Sequence, residues 1–168
     1  LFMVQIGEMT AEDHLLVEEL RSRSEKVILV VNKADTPEKD YQAAEFYSAG
    51  LGEPIPVSAA HGRNMDRLAE IVRMKLEAVI ANFTSNDSFD SNSENVNTDL
   101  VLALVGKPNA GKSTLANRLS GEEFSLVSDI AGTTRDTVIA SAEHKGRRLR
   151  IVDTAGMRRK ARVAENVE

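Results

Sequence analysis

Apolar residues fall into two rhythms along this chain. Short unbroken runs, "LFMVQI" (1–6), "KVILVVNK" (26–33), "PIPVSA" (54–59) and "DLVLALVG" (99–106), read as strands buried on both faces. Between them the spacing turns helical. In "TAEDHLLVEELRSRS" (10–24), Thr10 caps, Asp13 follows three positions later, and Leu15, Leu16, Val17 and Leu20 form a stripe. "EKDYQAAEFYSAG" (38–50) predicts a helix closed by Gly50. "NMDRLAEIVRMKLEAVI" (64–80) places Met65, Leu68, Ile71, Val72, Leu76 and Val79 on one face. "GKSTLANRLS" (111–120) predicts a further helix, and "TVIASAEHKGRRLRIVDT" (137–154) a hairpin turning near Lys145 and Gly146.

Strands alternating with helices predict an α/β fold with a mainly parallel sheet and helices on both faces. Six strands are expected, three on each side of position 90, with one antiparallel edge strand from the hairpin. The pattern lapses at "ANFTSNDSFDSNSENVNT" (81–98), a polar stretch without periodicity that reads as a flexible linker. It divides the chain into segments 1–80 and 99–168. The final "AGMRRKARVAENVE" is polar and basic and is expected to be mobile.

Composition narrows the class without naming a function. The 168 residues suit one domain. The net charge of −5 gives the whole surface no attraction for nucleic acid, although "RRLR" (147–150) and "MRRKAR" (157–162) run against it. The basic run reads as a solvated segment, with contact to RNA or protein as the alternative. Cysteine is missing, which removes disulfides and thiolate metal sites and fits a reducing compartment. No apolar run reaches the roughly 20 residues of a membrane span, and no signal peptide is visible. The first residues already read as a strand and the last close no element, so a piece of a longer protein is expected.

The chemistry lies in the connections. Gly106, Lys107, Pro108, Asn109, Ala110, Gly111, Lys112 and Ser113 match G-x-x-x-x-G-K-[ST], with Thr114 behind them. Such a loop turns its N–H groups onto phosphates, Lys112 reaches the β and γ oxygens, and the Ser113 hydroxyl ligates Mg²⁺. Asp153, at the end of a predicted strand in Asp-Thr-Ala-Gly, is a candidate water-mediated Mg²⁺ ligand, and the Gly156 N–H a candidate γ-phosphate sensor. Thr134, with Thr133 as the fallback, is the candidate switch threonine on Mg²⁺. Asn32, Lys33 and Asp35 follow a buried strand: a carboxylate there accepts from N1–H and the 2-amino group of guanine, and a lysine stem packs on the ring. Ser58, Ala59 and Ala60 follow the next strand and offer N–H groups to the guanine O6. His14, His61 and His144 read as surface or loop residues.

"GKPNAGKSTLANRL", "GTTRDT" and "DTAGMRRKARV" resemble the front half of the second G domain in the Der/EngA family of ribosome-assembly GTPases. "TAEDHLLVEEL", "VILVVNKAD" and "PVSAAHGRNMDRL" resemble the back half of the first. The resemblance implies a P-loop NTPase G-domain fold, a cytoplasmic hydrolase that binds GTP and GDP, and a part in ribosome biogenesis through the large ribosomal subunit. Gln5 stands where the family usually has Asp. Met157 occupies the place where Ras-like proteins carry the water-orienting Gln. In related GTPases the residue matching Asn109 coordinates K⁺. The resemblance therefore implies slow, K⁺-stimulated hydrolysis, with Lys112, Thr134, Gly156 and Asn109 as catalytic candidates.

Each motif occurs once, in circularly permuted order: base-reading first, phosphate loop after. A coil of the linker's length spans roughly 23 Å, enough to cross one face of a domain. Two arrangements follow. One chain completes its own site, or two chains exchange halves as a homodimer. The competing functional readings are a genuine circularly permuted ribosome-associated GTPase and a non-catalytic fragment with an incomplete site.

Overall fold

The computed structural model describes residues 1–86, 100–122, 125–126, 138–144 and 147–153. Strand β1 (Phe2–Gln5) leads to helix α1 (Ala11–Arg21), β2 (Leu29–Asn32), α2 (Pro37–Gln42), β3 (Ile55–Pro56) and α3 (Met65–Asn86). Then come β4 (Leu100–Leu104), α4 (Lys112–Glu122), β5 (Ser125–Leu126), β6 (Val138–His144) and β7 (Arg147–Asp153). The α/β alternation read from the sequence is present, with helices on both faces.

The strands form two sheets, in the orders β1-β2-β3 and β4-β7-β6-β5. β2 runs parallel to both β1 and β3, and β7 runs parallel to β4. The sheets meet along β1 and β4. Leu1 N donates to Ala103 O at 2.6 Å, Met3 N to Val105 O at 2.7 Å and Val105 N to Leu1 O at 2.8 Å. Phe2 pairs in parallel with Val105. A backbone ladder therefore joins the two halves of the chain, and the strand from before the polar segment lies beside the strand from after it.

Strand alternation explains why both faces need cover. Leu1, Met3, Ile28 and Val30 point to one side, where Leu68, Val72 and Leu76 of α3 and Leu115 and Leu119 of α4 bury against them. Leu100, Leu102, Leu104, Leu149 and Ile151 complete that core, so residues of both halves share it. Each fully buried Leu there contributes about 1.5–3 kcal/mol. Phe2, Val4, Leu29 and Val31 point to the other side, against Val17 of α1 and Phe46.

Several boundaries differ from the sequence reading. Seven strands, not six, are present among the described residues. The two-residue β5 pairs with antiparallel β6, which is therefore not an edge strand. The segment 38–50 is not one α-helix: α2 gives way to a 3₁₀ stretch, Ala43–Ala49. With three residues per turn, Ala43, Phe46 and Ala49 line up on the buried face. Gly50 closes it in the left-handed conformation, as expected. α3 continues to Asn86, six residues past its expected end at 80, through a stretch with no Gly or Pro to stop it. Thr10 and Asp13 form the capping box of α1, but Leu15 of the expected stripe is exposed. The expected tail from Ala155 onward lies outside the described residues. No helix among the described residues is long and apolar enough to cross a membrane.

Candidate nucleotide site

The phosphate-loop sequence leaves β4 and enters α4, whose first turn contains Lys112 and Ser113. The N-terminal end of such a helix presents unpaired N–H groups and positive charge to an anion. Lys112 is buried, and its Nζ donates to Gly106 O at 2.9 Å and Lys107 O at 2.8 Å. Ala110 is fully buried, while Pro108, Asn109, Ser113 and Thr114 are exposed. Lys107 Nζ lies 3.6 Å from the buried carboxylate of Asp13, the capping residue of α1.

Both motif glycines answer to the other half of the chain. Gly106 has φ +149°, and a Cβ there would overlap the carbonyl oxygen of Met3 in β1. Gly111 has φ +97°, and its Cβ would overlap the side-chain amide nitrogen of Asn32 at the end of β2. Strands β1 and β2 thus close on the loop so tightly that no side chain fits.

Asn32 is the junction of the site. Its Nδ2 donates to Ala110 O at 2.7 Å, and its Oδ1 accepts from Ala59 N at 3.0 Å. One buried side chain bonds the phosphate loop and the Ser58–Ala60 turn together. Lys33 and Asn109 both adopt left-handed backbone, with φ of 67° and 62°. For a non-glycine this costs on the order of 1–3 kcal/mol, and such strain concentrates at functional sites. They are linked through Gln5, which accepts from Lys33 Nζ at 3.0 Å and donates to Asn109 O at 2.8 Å.

Asp35 is held from two sides. Ser58 Oγ donates to one carboxylate oxygen at 2.7 Å and Lys39 Nζ to the other at 3.1 Å. The Ser58 hydroxyl, then the Lys39 ammonium, hold its carboxyl below the usual range. The following turn is closed by Ser58 and Arg63, which exchange backbone bonds of 3.1 and 3.2 Å. Arg63 also grips Asp40 with both guanidinium arms and donates to Ala34 O at 3.3 Å. Arg118 of α4 reaches Ala59 O and Ala60 O.

The structure therefore brings Asn32, Lys33, Asp35, Ser58, Ala59 and Ala60 into one bonded network with the loop from Gly106 to Ser113. Asp153 ends β7 in register with Leu104, at the strand end from which the loop departs. Thr133, Thr134, Gly156 and Met157 lie outside the described residues. Sequence reasoning missed Arg63, Arg118 and the capping residue Asp13 as parts of the site. Their partners lie 23, 59 and 94 positions away, beyond the reach of any local pattern. His14 and His61 are exposed, consistent with surface or loop roles.

Residues 101–168 match the 50S ribosome-binding GTPase family. The rest is decided by relatives that align across both halves. GTPase Der of Methylococcus capsulatus is 42% identical over 169 residues, covering 100% of this chain and 35% of the relative. GTPase Der of Heliobacterium modesticaldum is 42% identical over 160 residues, covering 95% and 34%. That of Borreliella burgdorferi is 40% identical over 168 residues, covering 100% and 36%. This chain is a homologue of GTPase Der. It spans about a third of the length of the curated Der relatives it matches. The Der alignment runs through the polar segment without a break in coverage, so the two halves follow one another here as they do in those relatives.

Proposed function

We propose that the chain binds GDP and GTP in one composite G-domain site and hydrolyses GTP slowly. Residues 1–80 supply the base-reading half, 99–168 the phosphate half, and the segment around 81–98 the connection, so the motifs act in circularly permuted order. The observation that carries this reading is the Asn32 side chain, which bonds Ala110 O of the phosphate loop and Ala59 N of the base-reading turn at once. In the proposed complex Asp35 accepts from the guanine N1–H and 2-amino group, and the turn from Ser58 to Ala60 faces O6. The loop N–H groups and Lys112 hold the phosphates.

The metal requirement follows from the donor set. Ser113 is exposed on the first turn of α4, and Asp153 ends the strand paired with β4. Together with Thr134 they would hold Mg²⁺, which neutralises charge on the β and γ phosphate oxygens. Asn109 is the proposed K⁺ ligand. Water attacks the γ-phosphorus, the bond from it to the β–γ bridging oxygen breaks, and GDP and inorganic phosphate leave with the water's proton on the phosphate. Met157 offers no hydrogen bond to orient that water, which supports a slow intrinsic rate. For the full-length protein the family descriptions support a role with the large ribosomal subunit.

Titration with labelled GDP and ADP tests the reading. Guanine-selective binding that falls with Asp35→Asn and with Lys112→Ala supports it; no selectivity, or indifference to both changes, overturns it. Hydrolysis at equal rates in K⁺ and Na⁺ removes Asn109 from its role. The cross-half contacts are noncovalent and would form equally between two chains, so the half-exchanged homodimer is the alternative arrangement. Light scattering over a concentration series separates the two.

A further inference from the structure

We propose that Arg118 is a positioning residue for base recognition: from the phosphate-loop helix it sets the direction of the Ala60 backbone N–H that meets the guanine O6. Its Nε donates to Ala59 O at 2.6 Å and its Nη2 to Ala60 O at 2.9 Å. One planar guanidinium thus holds two successive peptide units. A trans peptide is planar, so a carbonyl and the N–H that follows it point to opposite sides of one rigid plate. Fixing Ala59 O fixes the direction of Ala60 N–H, and fixing Ala60 O fixes that of His61 N–H.

The rest of the turn is held by other means. Its entry is tied by Asn32 to Ala59 N, and its ends by the paired backbone bonds of Ser58 and Arg63. The tip, Ala60 and His61, is exposed and is steadied otherwise by a 3.3 Å bond from His61 N to Ser58 Oγ. Gly62 leaves room for the clamp, since a Cβ there would stand 2.6 Å from Arg118 Nη1. A lysine has no fork with which to hold both carbonyls. Arg118 and Lys112 share α4, so the rigid element that carries the phosphate contact also orients the base contact.

This inference rests on the guanine reading above, and the test separates the two. GDP is compared with the diphosphate of 2-aminopurine riboside, which lacks O6, on the full chain and on Arg118→Ala. The expected result is a loss of about ten-fold or more in GDP affinity, the scale of a charged hydrogen bond, with binding of the 2-aminopurine nucleotide unchanged. IDP, which keeps O6, should weaken alongside GDP. Equal weakening of GDP and the 2-aminopurine nucleotide overturns the proposal and reduces Arg118 to a structural tie. Wild-type protein that fails to prefer GDP over ADP overturns the guanine reading itself. Should Arg118→Ala not fold, Arg118→Lys carries the same comparison: a smaller loss confined to the O6-bearing nucleotides supports the clamp, and a uniform loss or none overturns it.

Discussion

The side-chain amide of Asn32 donates to the carbonyl oxygen of Ala110 at 2.7 Å, joining two residues 78 positions apart. The same side chain accepts from Ala59 N, so one residue satisfies buried groups of two loops. Asn32→Ala leaves both groups unpaired, at about 1–3 kcal/mol for a buried polar group. Asn32→Asp keeps the acceptor for Ala59 N but sets an oxygen against the Ala110 carbonyl. Both variants should melt earlier and bind GDP more weakly. Calorimetric unfolding and titration measure this, and wild-type affinity in Asn32→Asp would remove the Ala110 bond from the account.

Gly111 should be intolerant for a reason that the motif alone does not supply. Alanine there meets the Asn32 amide and must also keep a φ of +97°. The substitution should destabilise, and its cost should shrink when Asn32 is already alanine, because the clash partner has gone while the backbone strain remains. A double-mutant cycle by denaturant unfolding gives the coupling. Strictly additive effects would mean that backbone strain alone sets the requirement.

Those two residues mark how far the sequence could be read. The phosphate loop, the Asn-Lys-x-Asp turn and the Ser-Ala-Ala turn were legible because each is a local pattern tied to a strand end. The sharing of α3 and α4 over one core was legible only as amphipathic faces seeking cover. What local patterns could not show is which edge meets which. Nothing in "LFMVQI" or "DLVLALVG" states that Met3 N will bond Val105 O, or that Gly106 must be bare because Met3 arrives. The 3₁₀ stretch is not separable from α-helix by pattern alone, because Ala43, Phe46 and Ala49, three apart, suit either kind of turn until the backbone is known.

Asp35 gives a pH prediction. Ser58 donates to it, and the folded carboxyl is held below its ordinary range. A depressed carboxyl pKa contributes stability that is full above the unfolded value and is lost as pH falls through the folded one. Guanine recognition through the carboxylate should therefore persist into acid, failing only below the ordinary aspartate range. Ser58→Ala removes the largest cause of the depression and should move the acid limb of GDP binding to higher pH. Binding measured from pH 3 to 7 checks it, and an unmoved limb would mean that Lys39 suffices.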